Sequence, residues 1–389
     1  MLMNEQEPKK KKSNILLRLL ALLVTMALML GALFLVVYRD RYNLDAVKRW
    51  MSMRSVETDE SGEGAPFTHA GGEDISFACL SDGVMMTSTA GIHYYSFSGE
   101  QYAEQVTTME HPVLTASAST GVAYDAGGDT VYLYRGGQES RALTLEGGGE
   151  VLSARINDSG WLAVTSQGSG YKGVVTVYNS DFEEVFRVKR SSTFLVDAMV
   201  SPDCKTVAVV TMGQQSGQFE SQLLIYRLDS EDHLAQVDLG NMAALDLEYE
   251  GEQIWVLGEN ALVSVAVEGW EKHSYSFGRS YLKGCSLGGD GFALVLLGRY
   301  RAGSADQALT ILPDGQAQSS LSLRSQVLSF DAQGRYLCLL TGGQLNIYPP
   351  DMAAYRTLED AQGARFVSLA ANGSALLADR QQAWLYIPG

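Results

Sequence analysis

The pentapeptide Gly284-Cys285-Ser286-Leu287-Gly288 has the G-x-S-x-G spacing of a nucleophile elbow. That chemistry needs the serine on a sharp strand-to-helix turn and a histidine base, which in hydrolases of that fold follows the serine in the chain. Here residues 292–297 read as a strand, and all five histidines (His69, His93, His111, His233 and His273) precede Ser286. A hydrolase is not expected. No HExxH, Walker loop, EF-hand pattern or histidine pair at ligand spacing occurs, so no metal and no cofactor is expected either. Cys79, Cys204, Cys285 and Cys338 lie far apart with no CxxC pair, which points to packed thiols rather than a disulfide framework or zinc site. The chain is read as a non-enzyme.

What remains is binding chemistry. Three stretches, 166–173, 212–220 and 299–307, read as enlarged loops between second and third strands and hold Tyr171, Lys172, Phe219, Arg299, Tyr300 and Arg301. Aromatic and cationic groups of this kind are typical hot-spot residues, and loops on a rigid scaffold are where binding sites collect. They stand out because the formal net charge is −16. So acidic a surface excludes nucleic acid as the main ligand, since phosphate contacts need Lys and Arg.

The elements that would carry these residues are short strands. From Glu150 to Val188 four strands follow one another, each rich in β-branched and aromatic residues and separated by Gly, Asn, Asp or Ser: a four-stranded antiparallel meander. The same pattern recurs from residue 66 to the end, with first strands starting near Ile75, Val113, Val151, Leu195, Ala243, Leu282, Val327 and Ala364. Units of about 40 residues with four strands each are propeller blades. The fold class is all-β: a β-propeller of eight four-stranded blades, with seven the alternative. Turns such as 157–160, 201–203 and 331–334 place Asp, Asn and Gly where hairpin geometry wants them, so their aspartates are read as structural. The last unit offers three strands only, and residues 66–70 are expected to supply its fourth and close the ring.

Ahead of the propeller, four consecutive lysines end a polar tail over 1–14, and residues 15–38 are apolar apart from Arg18. At ~1.5 Å per residue that length crosses a ~30 Å hydrocarbon core, so a single transmembrane signal anchor is expected. The dense lysine cluster favours a cytoplasmic N-terminus with the propeller outside; the propeller in the cytoplasm is the alternative. Ala27 and Gly31 form a small-xxx-small pair. Residues 43–54 read as a juxtamembrane helix with interfacial cations, and 55–65 as a flexible tether, together a linker over 39–65.

Residues 74–91, 150–178 and 198–210 resemble a bacterial family of membrane-anchored propellers, domain of unknown function 5711, and share generic features with WD-repeat-like and quinoprotein-like propellers. The resemblance implies an anchor and a propeller and brings no activity. The expected role is a membrane-tethered, extracytoplasmic binding or scaffold protein for a protein, peptide or envelope-polymer partner. The alternatives are a propeller enzyme with a site in the central channel, for which an acidic cluster there is the discriminating feature, and a sensor or assembly subunit of a membrane complex.

Overall fold

A computed structural model describes residues 20, 22–26, 29–30, 49, 52–53, 56–145, 148–361 and 363–389. The chain divides into two units, residues 1–48 and 49–389. In the first, the described residues Leu20, 22–26, Met29 and Leu30 are helical and exposed. No helix of the described residues is long and apolar enough to cross a membrane. The basic tail, most of the expected span and the Ala27/Gly31 pair lie outside the described residues.

The second unit is eight antiparallel four-stranded sheets. Blade 1 runs from β2 (Ser76–Cys79) through β3 (Val84–Ser88) and β4 (Gly91–Tyr95) to β5 (Gln101–Val106); blade 2 comprises β6 (Pro112–Ala116) to β9 (Gln138–Thr144). Blade 3 is β10 (Val151–Ile156), β11 (Leu162–Gly168), β12 (Tyr171–Tyr178) and β13 (Glu184–Arg190). Blade 4 is β14 (Phe194–Val200), β15 (Thr206–Gln215), β16 (Gln218–Arg227) and β17 (His233–Gly240). Blades 5, 6 and 7 begin at β18 (Ala244–Glu250), β22 (Tyr281–Gly289) and β26 (Val327–Gln333), and blade 8 at β30 (Phe366–Leu369). The first strand of each blade touches the first strand of the next, and β30 touches β2, so the eight first strands ring the axis. Away from their hairpin ends the middle strands of each blade are largely buried and pack on their neighbours: Trp255, Leu257 and Leu262 of blade 5, for instance, share a cluster with Ala293, Val295 and Leu297 of blade 6. Every sheet face is thus covered by the next blade.

The expected closure is present. β1 (Phe67–Thr68) pairs with β32 (Gln382–Tyr386) of the last blade, Phe67 opposite Ala383 and Thr68 opposite Gln382. Phe67 also packs against Tyr95 of blade 1, with ring centroids 5.5 Å apart, so one residue ties both sides of the seam.

Residues 56–65, expected to be a tether, instead continue along β32. The Gly64 amide donates to the Leu385 carbonyl at 2.8 Å, and the Ile387 amide donates to the Gly62 carbonyl at 2.8 Å. The reason is the edge that β32 would otherwise expose beyond its two-residue pairing with β1. Of the helix expected over 43–54, only Arg49, Ser52 and Met53 are described; they are helical. Arg49 is buried, not an interfacial cation, and its guanidinium donates to the Asn372 carbonyl at 2.9 Å, while Met53 packs on Leu376 and Leu385.

Candidate functional site

The two sides of the ring differ. On one, the turns between first and second strands bond from blade to blade: the Ser81 amide to the Ala118 carbonyl, the Ala118 amide to Asp158 Oδ1, and the Asp290 amide to the Gly334 carbonyl. These first-to-second turns are therefore engaged. Asn157, which opens a glycosylation-type sequon, is buried and donates its side-chain amide to the Ser201 carbonyl at 2.9 Å.

The other side carries the turns between second and third strands together with the links between blades. Two of its three expected loops are strands. Residues 166–173 form a long hairpin that turns at 169–170, and 212–220 form another that turns at Ser216 and Gly217, both with positive φ (52° and 82°). Positive φ at both central residues is the two-residue hairpin turn whose twist matches its strands, so the glycine-rich signal marked a tight turn rather than slack chain. Only 299–306 is a true loop, held where the Arg299 amide donates to Asp306 Oδ2 at 2.7 Å. Tyr171 and Lys172 stand at the tip of blade 3, Phe219 at the tip of blade 4, and Arg299, Tyr300 and Arg301 on blade 6. The structure places all six on one side of the ring, on three blades of an arc that runs from blade 3 to blade 6. Tyr171, Phe219 and Tyr300 are 44%, 51% and 75% exposed. Phe194, Leu245 and Tyr281, near the starts of first strands on the same side, add exposed apolar surface that the loop-based reading missed. On this side, between blades 7 and 8, Leu328, Phe366, Arg365, Asp379, Arg380 and Gln381 line a shallow cavity of about 660 Å³.

The channel holds a second candidate. First strands are sheet edges, and their unpaired backbone groups need partners. Five of them bulge at the same place, between Val151/Ser153, Leu195/Asp197, Ala244/Asp246, Leu282/Gly284 and Val327/Ser329. A bulge re-aims the residues after it. Beyond it in β26, small polar side chains satisfy the neighbouring blade: Ser329 Oγ accepts from the Val367 amide at 3.1 Å and Asp331 Oδ2 from the Leu369 amide at 2.8 Å; in the unbulged β30, Ser368 Oγ likewise accepts from the Cys79 amide at 3.3 Å. Ser286 belongs to this set. It lies within β22, accepts from the Ala332 amide and donates towards Asp331, so its G-x-S-x-G setting is a strand and not an elbow.

In blades 3 to 5 the same positions are charged. Arg155 donates through Nε and Nη2 to Asp197 Oδ2 at 3.2 and 2.9 Å, pairs with Asp246, and lies 3.9 Å from Glu248. Ser153 donates to the other Asp197 oxygen. One guanidinium thus links three blades, and its three carboxylates outweigh burial to raise its pKa further. Burial pushes Glu248 up to about 7, with Arg155 opposing and Asp246 and Asp197 adding to the rise. Burial also pushes Asp331 up to about 6 against the hydrogen bonds it accepts. Among the described residues no group of three or more His, Cys, Asp and Glu could hold a metal ion.

Asp331, read in sequence as a turn aspartate, is thus a channel residue of β26. Its folded pKa lies above that of an unfolded aspartate, about 4. The stability this confers is complete below about pH 4 and is lost as pH rises through about 6; for Glu248 the loss extends through about 7. His69 and His93 act in the opposite sense. Burial lowers both below 6.5, so their contribution is complete above 6.5 and is lost on acidification. Asp331→Asn is expected to remove the first loss: urea midpoints between pH 4 and 7 should fall less with rising pH than in the parent chain, and parallel curves would refute the assignment.

A family model described as a family of unknown function, DUF5711, matches residues 60–349. The C-terminal WD40 domain of Sif2 superposes with a TM-score of 0.57 at 11% identity, covering 85% of this chain and 97% of that one. The computationally designed Ika8 protein gives 0.57 at 12%, covering 83% and 99%. BamB from Moraxella catarrhalis gives 0.49 at 13%, covering 83% and 96%. Among curated proteins no sequence matches. At identities this low the first two carry the propeller fold alone.

Proposed function

The chain belongs to DUF5711, a family of unknown function, and from that premise we propose that it is a non-enzymatic binding or scaffold protein that captures a protein, peptide or envelope-polymer partner on the hairpin side of its propeller. The observation that supports this reading is the asymmetry of the ring. The first-to-second turns of one side bond from blade to blade, while the other side exposes the aromatic residues Tyr171, Phe219 and Tyr300 on hairpins and a loop. We propose further that residues 15–38 anchor it in the cell membrane with the N-terminus cytoplasmic, on the length and apolarity of that stretch and the lysine block before it. Tethering would then raise the local concentration of the propeller for partners at the same membrane.

The test is Tyr171→Ala/Tyr300→Ala/Arg301→Ala. Exposed substitutions of this kind shift stability by only about 0.5 kcal/mol each, whereas hot-spot truncation costs ~2 kcal/mol or more in binding. The triple variant should unfold like the parent and lose the partner recovered from membranes by crosslinking. Undiminished recovery would refute the assignment of this side.

The Arg155 cluster favours a second reading, a site in the channel for a small molecule. Its three carboxylates are the acidic feature expected of such a site, although all three face the guanidinium.

A further inference from the structure

The exposed aromatic residues of blades 3 and 4 are not bare. Lys172 Nζ lies 4.9 Å over the Phe194 ring, and Lys189 Nζ lies 5.4 Å over the Tyr171 ring. The two pairs are held side by side by the hairpin. Lys189 is opposite Val174 and Arg190 opposite Gly173 in the β12–β13 ladder, while Gly173 sits so close to Leu195 that an added Cβ would come within 2.7 Å of its side chain. Lys172 also donates to the Ser192 carbonyl at 3.0 Å, and Arg190 to the Tyr226 hydroxyl at 2.7 Å, which fixes where both cations stand. Among the described residues none of Lys172, Lys189 and Arg190 is in an ion pair with a carboxylate. Residues 166–178 and 188–196, which build the patch, contain these three cations and no acid, in a chain of formal charge −16.

Both rings remain about half exposed, Tyr171 at 44% and Phe194 at 51%. A cation over an aromatic face stabilises both groups and leaves the ammonium free to accept an anion. From this charge complementarity we propose that the patch formed by Tyr171, Lys172, Lys189, Arg190 and Phe194 docks an acidic peptide segment of a partner protein. Its carboxylates meet the three cations and an intervening apolar side chain covers the rings. This rests on the binding-face reading and narrows it to blades 3 and 4 and to one partner chemistry. The acidic remainder of the propeller supports the selectivity, because a peptide of that sign is repelled elsewhere and attracted here.

The probe is a fluorescein-labelled peptide of alternating glutamate and phenylalanine, titrated by anisotropy onto the full chain in detergent, with its lysine-for-glutamate counterpart as control. The acidic peptide should bind, the basic one should not at the patch, and rising salt should weaken binding. Lys172→Glu/Lys189→Glu should weaken it at least about tenfold with an unchanged unfolding midpoint, and Phe194→Ala should weaken it without altering the salt dependence. No binding of the acidic peptide up to about 1 mM, equal binding by the charge-reversed variant, or binding only to vesicles containing about 30% phosphatidylserine would each overturn the proposal. Membrane crosslinking separates the two levels. A partner lost with Tyr300→Ala/Arg301→Ala but retained by Lys172→Glu/Lys189→Glu overturns the acidic patch and leaves the binding face standing.

Discussion

Arg155→Ala should lower the stability of the propeller by about 3–5 kcal/mol, the cost of removing one partner from a buried ion pair and leaving the other charge in place. Asp197 is 4% exposed and accepts two of the guanidinium's hydrogen bonds, with Asp246 and Glu248 on the next blade facing the same group. Without Arg155, three carboxylates would face each other with no cation between them. Asp197 and Glu248, whose pKa values burial already raises, would keep their protons more tightly, so in the variant the folded state binds more protons than the unfolded one over a wider range. Its stability should therefore recover as pH falls towards about 4 and the deficit should be greatest above pH 7. Arg155→Lys should recover only part of the loss, because a lysine cannot span two acceptors in a plane. Urea unfolding at pH 5 and pH 8 checks this; an alanine variant equally destabilised at both would show that the guanidinium acts through packing alone. Replacing Arg155, Asp197, Asp246 and Glu248 together by apolar residues of similar size should be far milder than the single change.

The second large effect is at the seam. Removing residues 1–70 should abolish a stable monomeric fold, whereas removing 1–48 should not, since residues 49–389 form a compact unit of their own. The longer deletion takes away the backbone bonds of Gly64, Ile387 and His69 to and from blade 8, at about 1 kcal/mol each. It also removes Phe67, half-buried against blade 8 and Tyr95, whose contacts contribute about 1–2 kcal/mol more. A point change makes the same case. At Gly99, φ is 87° and an added Cβ would lie 2.2 Å from Phe67 Cβ, so Gly99→Ala combines backbone strain with a clash against the closing strand. Its thermal midpoint should fall by several degrees. A deletion of 1–70 that still unfolds cooperatively as a monomer would mean that the ring holds without its clasp.

Blade number, blade boundaries and the closing strand were legible because each rests on local chemistry: β-branched runs, Asp and Gly at hairpins, and a last unit short by one strand. The channel was not legible. Arg155, Asp197, Asp246 and Glu248 sit in runs that read as ordinary strands, and nothing local says that carboxylates 42 and 91 positions from Arg155 share its one cation. Asp331 was misleading for a related reason, because Asp-x-x-Gly describes both a hairpin turn and the end of a bulged inner strand. The stretches 166–173 and 212–220 looked like loops since Gly, Ser and Gln fill most of them. Tight hairpin turns need the same residues, and only the pairing partner decides. The acidic stretch before residue 66 looked like a tether for want of knowing that β32 had an open edge to offer it.

The clasp also sets an order of events during synthesis. β1 leaves the ribosome ahead of every blade, but Gln382, the partner of Thr68, follows only after the seven blades between them have been made. At about 5–20 residues per second the strand waits on the order of tens of seconds with an unpaired edge, while seven complete blades assemble beside it. An unfinished chain is an open arc with two reactive ends, and nothing can seal it early, because the sheet that β1 joins does not yet exist. Premature termination anywhere in blade 8 therefore releases a molecule whose first strand has no partner of its own and is free to add to the exposed sheet of another copy.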